Sequence, residues 1–390
     1  MPIKIHNKVL FVLLICAVWA AFFLPFLTVA ANRMMTPKGE SLQWVQLTGL
    51  ALMPYGFVVL AVALLMMTPF FSNKRLSAFV VLSMVSLLMF VCGEVVIQQA
   101  NGRILGASSI RVSFGVGFWL LILVLWLMAM EAVRFLTTRS IYQSLLSFAV
   151  LLPLIGLMLS ARSVNLSLYK EYMANRQAFD AALFEHLEVV GITVFLSLLV
   201  GLPVGVLAFR RMRVRMWLLN VLNVIQTIPS IALFAFLLAP LAWLAGRFPW
   251  LADIGVHGVG TAPAVIALTL YSLLPIVRAT VVGLQNVPAA VVDAARGMGM
   301  DSLQVLSLVH VRLALPVIVS GIRVAAVQTI GLTAVAALIG AGGFGAIMFR
   351  GLSSSSVDLI MLGVLPVLAL TMCADAFFKL VLAQLEVGAP

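Results

Sequence analysis

Charge is scarce in this chain. Only 9% of its 390 residues are Asp, Glu, Lys or Arg, while 63% are hydrophobic. A soluble domain carries roughly 25% charged residues. A soluble fold of this length could not hide so much apolar surface, but a bilayer accepts it when backbone groups bond internally. Cysteine is almost missing: Cys16, Cys92 and Cys373 lie scattered in apolar segments without metal spacing. They read as small buried hydrophobes and carry no information on redox compartment. The four histidines, His6, His186, His257 and His310, form no metal or catalytic cluster, and no Ser-His-Asp or Cys-His arrangement accompanies them. No G-x-x-x-x-G-K-[ST] occurs, so the chain has no P-loop of its own for ATP. These absences leave no support for catalysis, for a bound cofactor or for a metal. Low-complexity runs and an internal repeat between the halves are missing too, and an inverted repeat would have favoured a secondary transporter.

What is present is an all-α polytopic membrane protein. Apolar segments lie at 9–30, 47–71, 76–98, 114–136, 141–160, 183–209, 217–245, 262–284, 313–340 and 357–382, giving about ten transmembrane helices. Lys4 and Lys8 before Val9–Ala30 suggest a signal peptide, but the run is long enough to span and many spans follow, so it is taken as an uncleaved first helix. Three regions follow: a five-helix extension over 1–160, a polar connector over 161–182 with room for a short interfacial helix, and a five-helix core over 183–385. The formal charge of +11 fits the positive-inside rule better than a nucleic-acid partner. With the N-terminus inside, thirteen Lys and Arg fall inside and nine outside, leaving out Arg278 and Arg323 near helix ends. The cluster Arg210, Arg211, Arg213 and Arg215 fixes the core, and both termini are expected in the cytoplasm.

Several motifs have two explanations. Gly340 to Gly345 match G-x-G-x-x-G, but after a long apolar helix rather than a strand; a tight turn at the outer face is favoured over a dinucleotide site. Gly201 and Gly205 form a G-x-x-x-G that fits close helix packing. Gln226, Thr227, Ser230, Tyr271, Ser272, Gln328 and Thr329, with Thr333, lie deep in core spans. Pro229 and Pro275 can break or kink their helices and free carbonyls. Together these residues line a translocation pathway or join helices by hydrogen bonds. Acids are nearly absent from the core midplane, with Asp375 the exception toward the inner end of the last helix, whereas an ion-coupled carrier usually needs them.

The stretch Val287–Pro316 is too polar to span. Pro288 suits a first helical turn, and Gly297 or Gly299 can end that helix. Asp301 then caps a second helix, with Gln304 completing a capping box and Leu303, Leu306 and Val309 forming an apolar stripe. A capped hairpin between spans suits docking to a soluble partner, or is an ordinary structured loop.

Asp293-Ala294-Ala295, three residues and Gly299 resemble the E-A-A-x-x-x-G signature of ABC-importer permeases. In that family nine residues, an aliphatic, one residue and Leu-Pro follow; Val309 and Val311 take the aliphatic and Leu positions. Asp293 replaces the usual Glu, and Arg312 stands where Pro is usual. Gln226–Leu237, Leu270–Leu284 and Ile339–Leu352 resemble the glycine betaine/choline/proline osmoprotectant permeases, over about residues 180–385, and the long N-terminal half resembles an extended permease subunit of a bacterial glycine betaine uptake system. The resemblance implies a type I ABC-importer permease core in a bacterial inner membrane, importing a quaternary ammonium or similar compatible solute. It implies as partners a dimer of ATPases that uses the ATP, a periplasmic solute-binding protein, and a second permease subunit, either a shorter chain or another copy. Asp293, Ala294, Ala295, Gly299, Val309 and Val311, in a coupling hairpin over 287–312, would then meet the ATPase. An ion-coupled secondary transporter and a membrane scaffold are the alternatives from other classes.

Overall fold

A computed structural model describes residues 5–32, 35–41, 55–104, 109–253 and 255–387. The chain divides into two compact units, Met1–Ala174 and Asn175–Pro390, and the division falls inside the expected connector 161–182. Among the described residues, seven helices are long and apolar enough to cross a membrane, or eight if one pair bent by 41° is a single span.

In the first unit α1 covers Lys8–Phe23, α2 Tyr55–Met67, α3 Lys74–Ile104, α4 Val116–Val133, α5 Ser140–Ala149, α6 Leu152–Met158 and α7 Ser167–Ala174. Strands β1 (Pro25–Ala30), β2 (Lys38–Ser41) and β3 (Arg111–Phe114) form an antiparallel sheet in the order β2-β1-β3. The expected first span over Val9–Ala30 is therefore corrected: the helix stops at Phe23 and the chain turns into a strand. Leu24 precedes Pro25, which pushes it out of the helical region, and it is extended at φ −105 and ψ 152. The segment predicted at 47–71 is helical from Tyr55, and its start lies outside the described residues. The bent pair is α5 and α6, on the segment predicted at 141–160. The interior of this unit centres on Phe26, Phe114 and Phe118, the last two stacked at 4.3 Å.

In the second unit α8 covers Arg176–Arg210, α9 Met212–Thr227, α10 Ser230–Arg247, α11 Pro249–Asp253 and α12 Thr261–Gln285. Then come α13 (Ala289–Gly297), α14 (Ser302–Gln304), a π-helical turn (Val305–His310), α15 (Val311–Ala336), α16 (Phe344–Ser353) and α17 (Val357–Val387). The central element is α12, buried on most sides because small residues let its neighbours close in. A Cβ on Gly201 or Gly205 of α8 would meet Ile276 at 2.9 Å or Thr280 at 2.7 Å, so the G-x-x-x-G marks close packing. On the other side, Gly321 of α15 would meet Ala279 at 2.2 Å. The segment predicted as one helix over 217–245 is two helices. Ile228 and Pro229 between α9 and α10 are extended, with ψ of 128 and 136, because Pro229 bars its predecessor from the helical region. Pro275, in contrast, sits inside an uninterrupted α12.

Two further expectations change, and one holds. Arg323 is not near a helix end but within α15, where Asp375 of α17 accepts from its Nε at 2.7 Å and from Lys379 Nζ at 2.9 Å. Cys16 and Cys373 are exposed on helix surfaces rather than buried, which suits thiols facing lipid. At Gly340–Gly343 the chain makes the expected tight turn: Gly340, Gly342 and Gly343 have φ of 84, 73 and 72. The Glu185 carboxylate accepts from the Gly343 N–H at 2.8 Å, so an acid from the chain itself occupies the start of α16.

Candidate functional site: a capped hairpin and a neutral polar layer

The hairpin begins with α13, preceded by Pro288 at its N-cap. Its end is a Schellman arrangement. The Gly299 N–H donates to the Arg296 carbonyl at 2.9 Å and the Met300 N–H to the Ala295 carbonyl at 3.2 Å. Gly299 takes the left-handed conformation at φ 87; Gly297 is the last helical residue and does not. Of the two candidate helix stops, Gly299 is the one used. The next helix opens with the predicted capping box. Asp301 Oδ1 accepts from the Leu303 and Gln304 N–H groups at 2.8 Å, and Gln304 Oε1 accepts from the Asp301 N–H at 2.9 Å.

The predicted apolar stripe of Leu303, Leu306 and Val309 is corrected. Leu303 is 67% exposed, while Val305 is buried against Val287, Val292 and Ala295. Leu306 and Val309 do pack, against Leu284, Ala314 and Ile318 and against the hairpin's own interior respectively, so only Leu303 leaves the stripe; the π-helical turn over Val305–His310 shifts the α-helical phase and brings Val305 in. The second helix of the hairpin is also not separate. Ser302–Ile339 runs as one 38-residue helix, about 57 Å at 1.5 Å per residue. Arg312 retains the N–H that Pro would lack, which is compatible with this continuity. His310 fixes the base: its Nδ1 lies 3.2 Å from the Leu284 carbonyl at the end of α12, and its ring packs 5.2 Å from Phe209 of α8.

The signature residues divide between two faces. Ala295 is 3% exposed and belongs to the hairpin's interior, Val309 packs against the same cluster, and Val311 packs beside Leu284, Ala314 and Ile318. Asp293 and Ala294 are exposed, and Asp293 lies 4.0 Å from Arg296 in a solvent-facing pair of little energetic weight. Val291, Met298 and Leu303 are exposed beside them, although sequence inspection did not single them out as surface residues. Met298 alone carried a signal, a large apolar side chain between two glycines in an otherwise polar turn.

Among the residues singled out for a pathway, some are brought together. Gln226 Nε2 donates to the Tyr271 carbonyl at 2.8 Å, and the Tyr271 hydroxyl donates to the Ile228 carbonyl. These two bonds tie the α9–α10 break to α12. The hydroxyls of Ser272 on α12 and Thr329 on α15 are 2.8 Å apart, and Thr333 Oγ1 donates to the Thr329 carbonyl at 2.8 Å. Tyr271, Ser272, Thr329 and Thr333 are buried between helices. Gln226, Ser230, Pro275 and Gln328 are half-buried, while Thr227 and Pro229 are exposed. Thr227 turns back on its own helix, its hydroxyl donating to the Val224 carbonyl at 2.7 Å. The layer is uncharged. Asp375, the acid singled out nearest the core midplane, is held by two cations, Arg323 and Lys379.

Comparison with known proteins separates the chain along similar lines. Residues 197–386 match the model of the binding-protein-dependent transport system inner membrane component. Residues 6–169 match the N-terminal domain described for the ABC transporter permease YehY. The osmoprotectant import permease protein OsmW of Salmonella typhimurium is 42% identical over 52% of this chain and 90% of its own length. The carnitine transport permease protein OpuCB of Listeria monocytogenes is 37% identical over 49% of this chain and 81% of its own. The glycine betaine/carnitine/choline permease protein OpuCD of Bacillus subtilis is 37% identical over 47% and 73%. A chain of the MetNI methionine ABC transporter superposes with a TM-score of 0.47 at 20% identity, over 54% of this chain and 98% of that one.

Proposed function

The chain belongs to the binding-protein-dependent transport system inner membrane component family, and from that premise we propose that it forms the membrane pore of an ATP-driven importer for a small compatible solute, of the glycine betaine, choline or carnitine type. A separate ATPase dimer hydrolyses the ATP, and this chain binds no nucleotide or other cofactor. A periplasmic solute-binding protein delivers the solute, and a second permease subunit, a shorter chain or another copy, completes the pore. The membrane is the bacterial inner membrane, with both termini and the hairpin over 287–312 in the cytoplasm.

The observation that carries this reading is the hairpin's construction. It has its own small interior, it is capped at both turns, and it runs without interruption into α15, whose Thr329 meets Ser272 of α12. Asp293 and Ala294, with Val291, Met298 and Leu303, form the face that seats in the ATPase. Ala295, Val309 and Val311 support that face from within. Gly299 provides the turn. A push on the hairpin would then move a rigid rod whose far end adjoins the polar layer. The accessible members of that layer, Gln226, Thr227, Ser230 and Gln328, line the passage, with Pro229 and Pro275 shaping its walls. Tyr271, Ser272 and Thr329 hold those walls at their spacing.

The test is reconstitution of the chain in liposomes with its encoded ATPase and binding protein. ATP hydrolysis should rise when solute-loaded binding protein is added, and uptake should persist when the proton gradient is collapsed at constant ATP. Uptake that stops with the gradient while ATP is held constant would instead establish an ion-coupled carrier.

A further inference from the structure

At one end of the first unit is a concave, strongly basic surface. The unit's charges are sorted by end. Glu40, Glu94 and Glu171 are each paired with arginine, Arg103, Arg162 and Arg111 respectively, at the end bearing the sheet. The opposite end, where the His6 and Asn7 N–H groups reach the Pro69 carbonyl, carries Lys8, Lys74, Arg75, Arg134 and Arg139 against Glu131 alone. There a cavity of about 420 Å³ is lined by Arg75, Arg134 and Arg139 together with Thr137, Thr138 and Tyr142.

The three guanidinium groups come from three elements: the first turn of α3, the residue after α4, and the residue before α5. The loop between α4 and α5 is preset. Gln143 Nε2 donates to the Thr137 carbonyl at 2.8 Å, and the Arg139 N–H donates to Thr137 Oγ1 at 3.3 Å. Lys74 lies 5.3 Å above the Phe135 ring. Glu131 is 3.5 Å from Arg134 and the cavity's own lining contains no carboxylate. Forked guanidinium groups with hydroxyls beside them are the chemistry that holds a phosphate.

Position narrows the ligand further. The cavity lies where α3 and α4 begin and end their spans, hence at bilayer interface level. Apolar surface starts directly beneath it. Tyr142, Leu145 and Leu146 share one face of α5 by their spacing, Phe79 lies one turn from Arg75 on α3, and all four are exposed. A soluble phosphate would use only the arginines. A phosphate joined to acyl chains would use both surfaces. We propose that this cavity is a binding site for the headgroup of an anionic phospholipid of the cytoplasmic leaflet, with its acyl chains along α3 and α5.

The purified full-length chain in detergent would be exposed to phosphatidylglycerol, to phosphatidylcholine with the same acyl chains, and separately to inorganic phosphate and pyrophosphate. Lipid retention is read by native mass spectrometry and binding by the shift in Tm. Phosphatidylglycerol should be retained and should raise Tm, with phosphatidylcholine and the soluble anions lacking this effect. Each arginine-to-glutamine change should weaken retention roughly fivefold, so Arg75→Gln, Arg134→Gln and Arg139→Gln together should weaken it roughly a hundredfold. Arg213→Gln, in another basic cluster, should leave it unchanged. The single Arg139→Gln variant, on an exposed loop, serves if the triple variant misfolds. Equal retention of the two lipids would overturn the site, as would an equal loss in Arg213→Gln or retention unaffected by the arginine changes. A Tm shift from phosphate or pyrophosphate matching that from phosphatidylglycerol would overturn the lipid as occupant.

Discussion

The first unit buries two carboxylates, Glu94 and Glu171, against arginines, whereas the buried polar side chains described in the second unit are hydroxyls and one imidazole. Glu94 of the first unit is 2% exposed and held by Arg162 and Gln98. The corresponding interior of the second unit is a chain of hydroxyl and amide contacts through Gln226, Tyr271, Ser272 and Thr329. The exception, Asp375, is neutralised by Arg323 and Lys379. An ion pair fixes two elements at one spacing and is costly to separate away from water. Neutral hydrogen bonds between spanning helices are individually weak and can be exchanged. The contrast suits a first unit that stays closed and a second unit whose helices shift during transport.

The comparison is broken most severely at Arg162. Arg162→Leu leaves the Glu94 carboxylate buried with only Gln98 beside it, and should cost about 2 kcal/mol, below the full value for a buried pair because Arg162 is itself 44% exposed. Thermal unfolding in detergent reads this loss, and adding Glu94→Gln should recover part of it. An Arg162→Leu protein as stable as the wild type would show that the pair is not a clamp.

A smaller effect is expected in the second unit. Ser272→Ala removes one hydroxyl contact to Thr329, which retains its own bond to the Ala325 carbonyl. The stability cost should be roughly 0.6 kcal/mol, as for other bonds between membrane helices. If it equals that of Arg162→Leu, the neutral layer is as rigid as the ionic end and the contrast fails.

The smallest effect concerns pH. Arg103, through its hydrogen bonds, holds the Glu40 carboxyl below its usual value of 4.5. A depressed carboxyl contributes stability above its unfolded value and loses it as pH falls through the folded one. The wild type should therefore exceed Glu40→Gln in Tm at neutral pH, and the difference should fade as pH drops below about 4.5. A difference that grows on acidification would reverse the sign.

Much of this was legible in the sequence because it depends on local rules. The Asp301–Gln304 capping box and the close approach of Gly201 and Gly205 follow from residue type and spacing. The segments at 9–30 and 217–245 were misjudged because hydropathy averages over Pro25 and Pro229, whose steric effect on the preceding residue ends a helix without changing apolarity. On the hairpin's buried side Leu303 is exposed and Val305 buried in its place, for another reason. A π-helical turn at Val305–His310 alters the phase, and no residue in that stretch announces it. The partition of the signature into exposed Ala294 and buried Ala295 could not be read from composition either, since the two residues are identical and adjacent.

That partition supplies the most direct test of the central claim that the hairpin transmits ATPase motion to the pore. Ala294→Trp adds volume on an exposed face and leaves the hairpin's interior intact, unlike Ala295→Trp. The measurement is ATP hydrolysis by the assembled complex with and without solute-loaded binding protein, with subunit association checked in parallel. Close-packed contacts tolerate added volume poorly, so stimulation by the loaded binding protein should fall roughly tenfold in Ala294→Trp, at about 1.4 kcal/mol per tenfold, with uptake falling in step. Wild-type stimulation and uptake in that variant would contradict the claim.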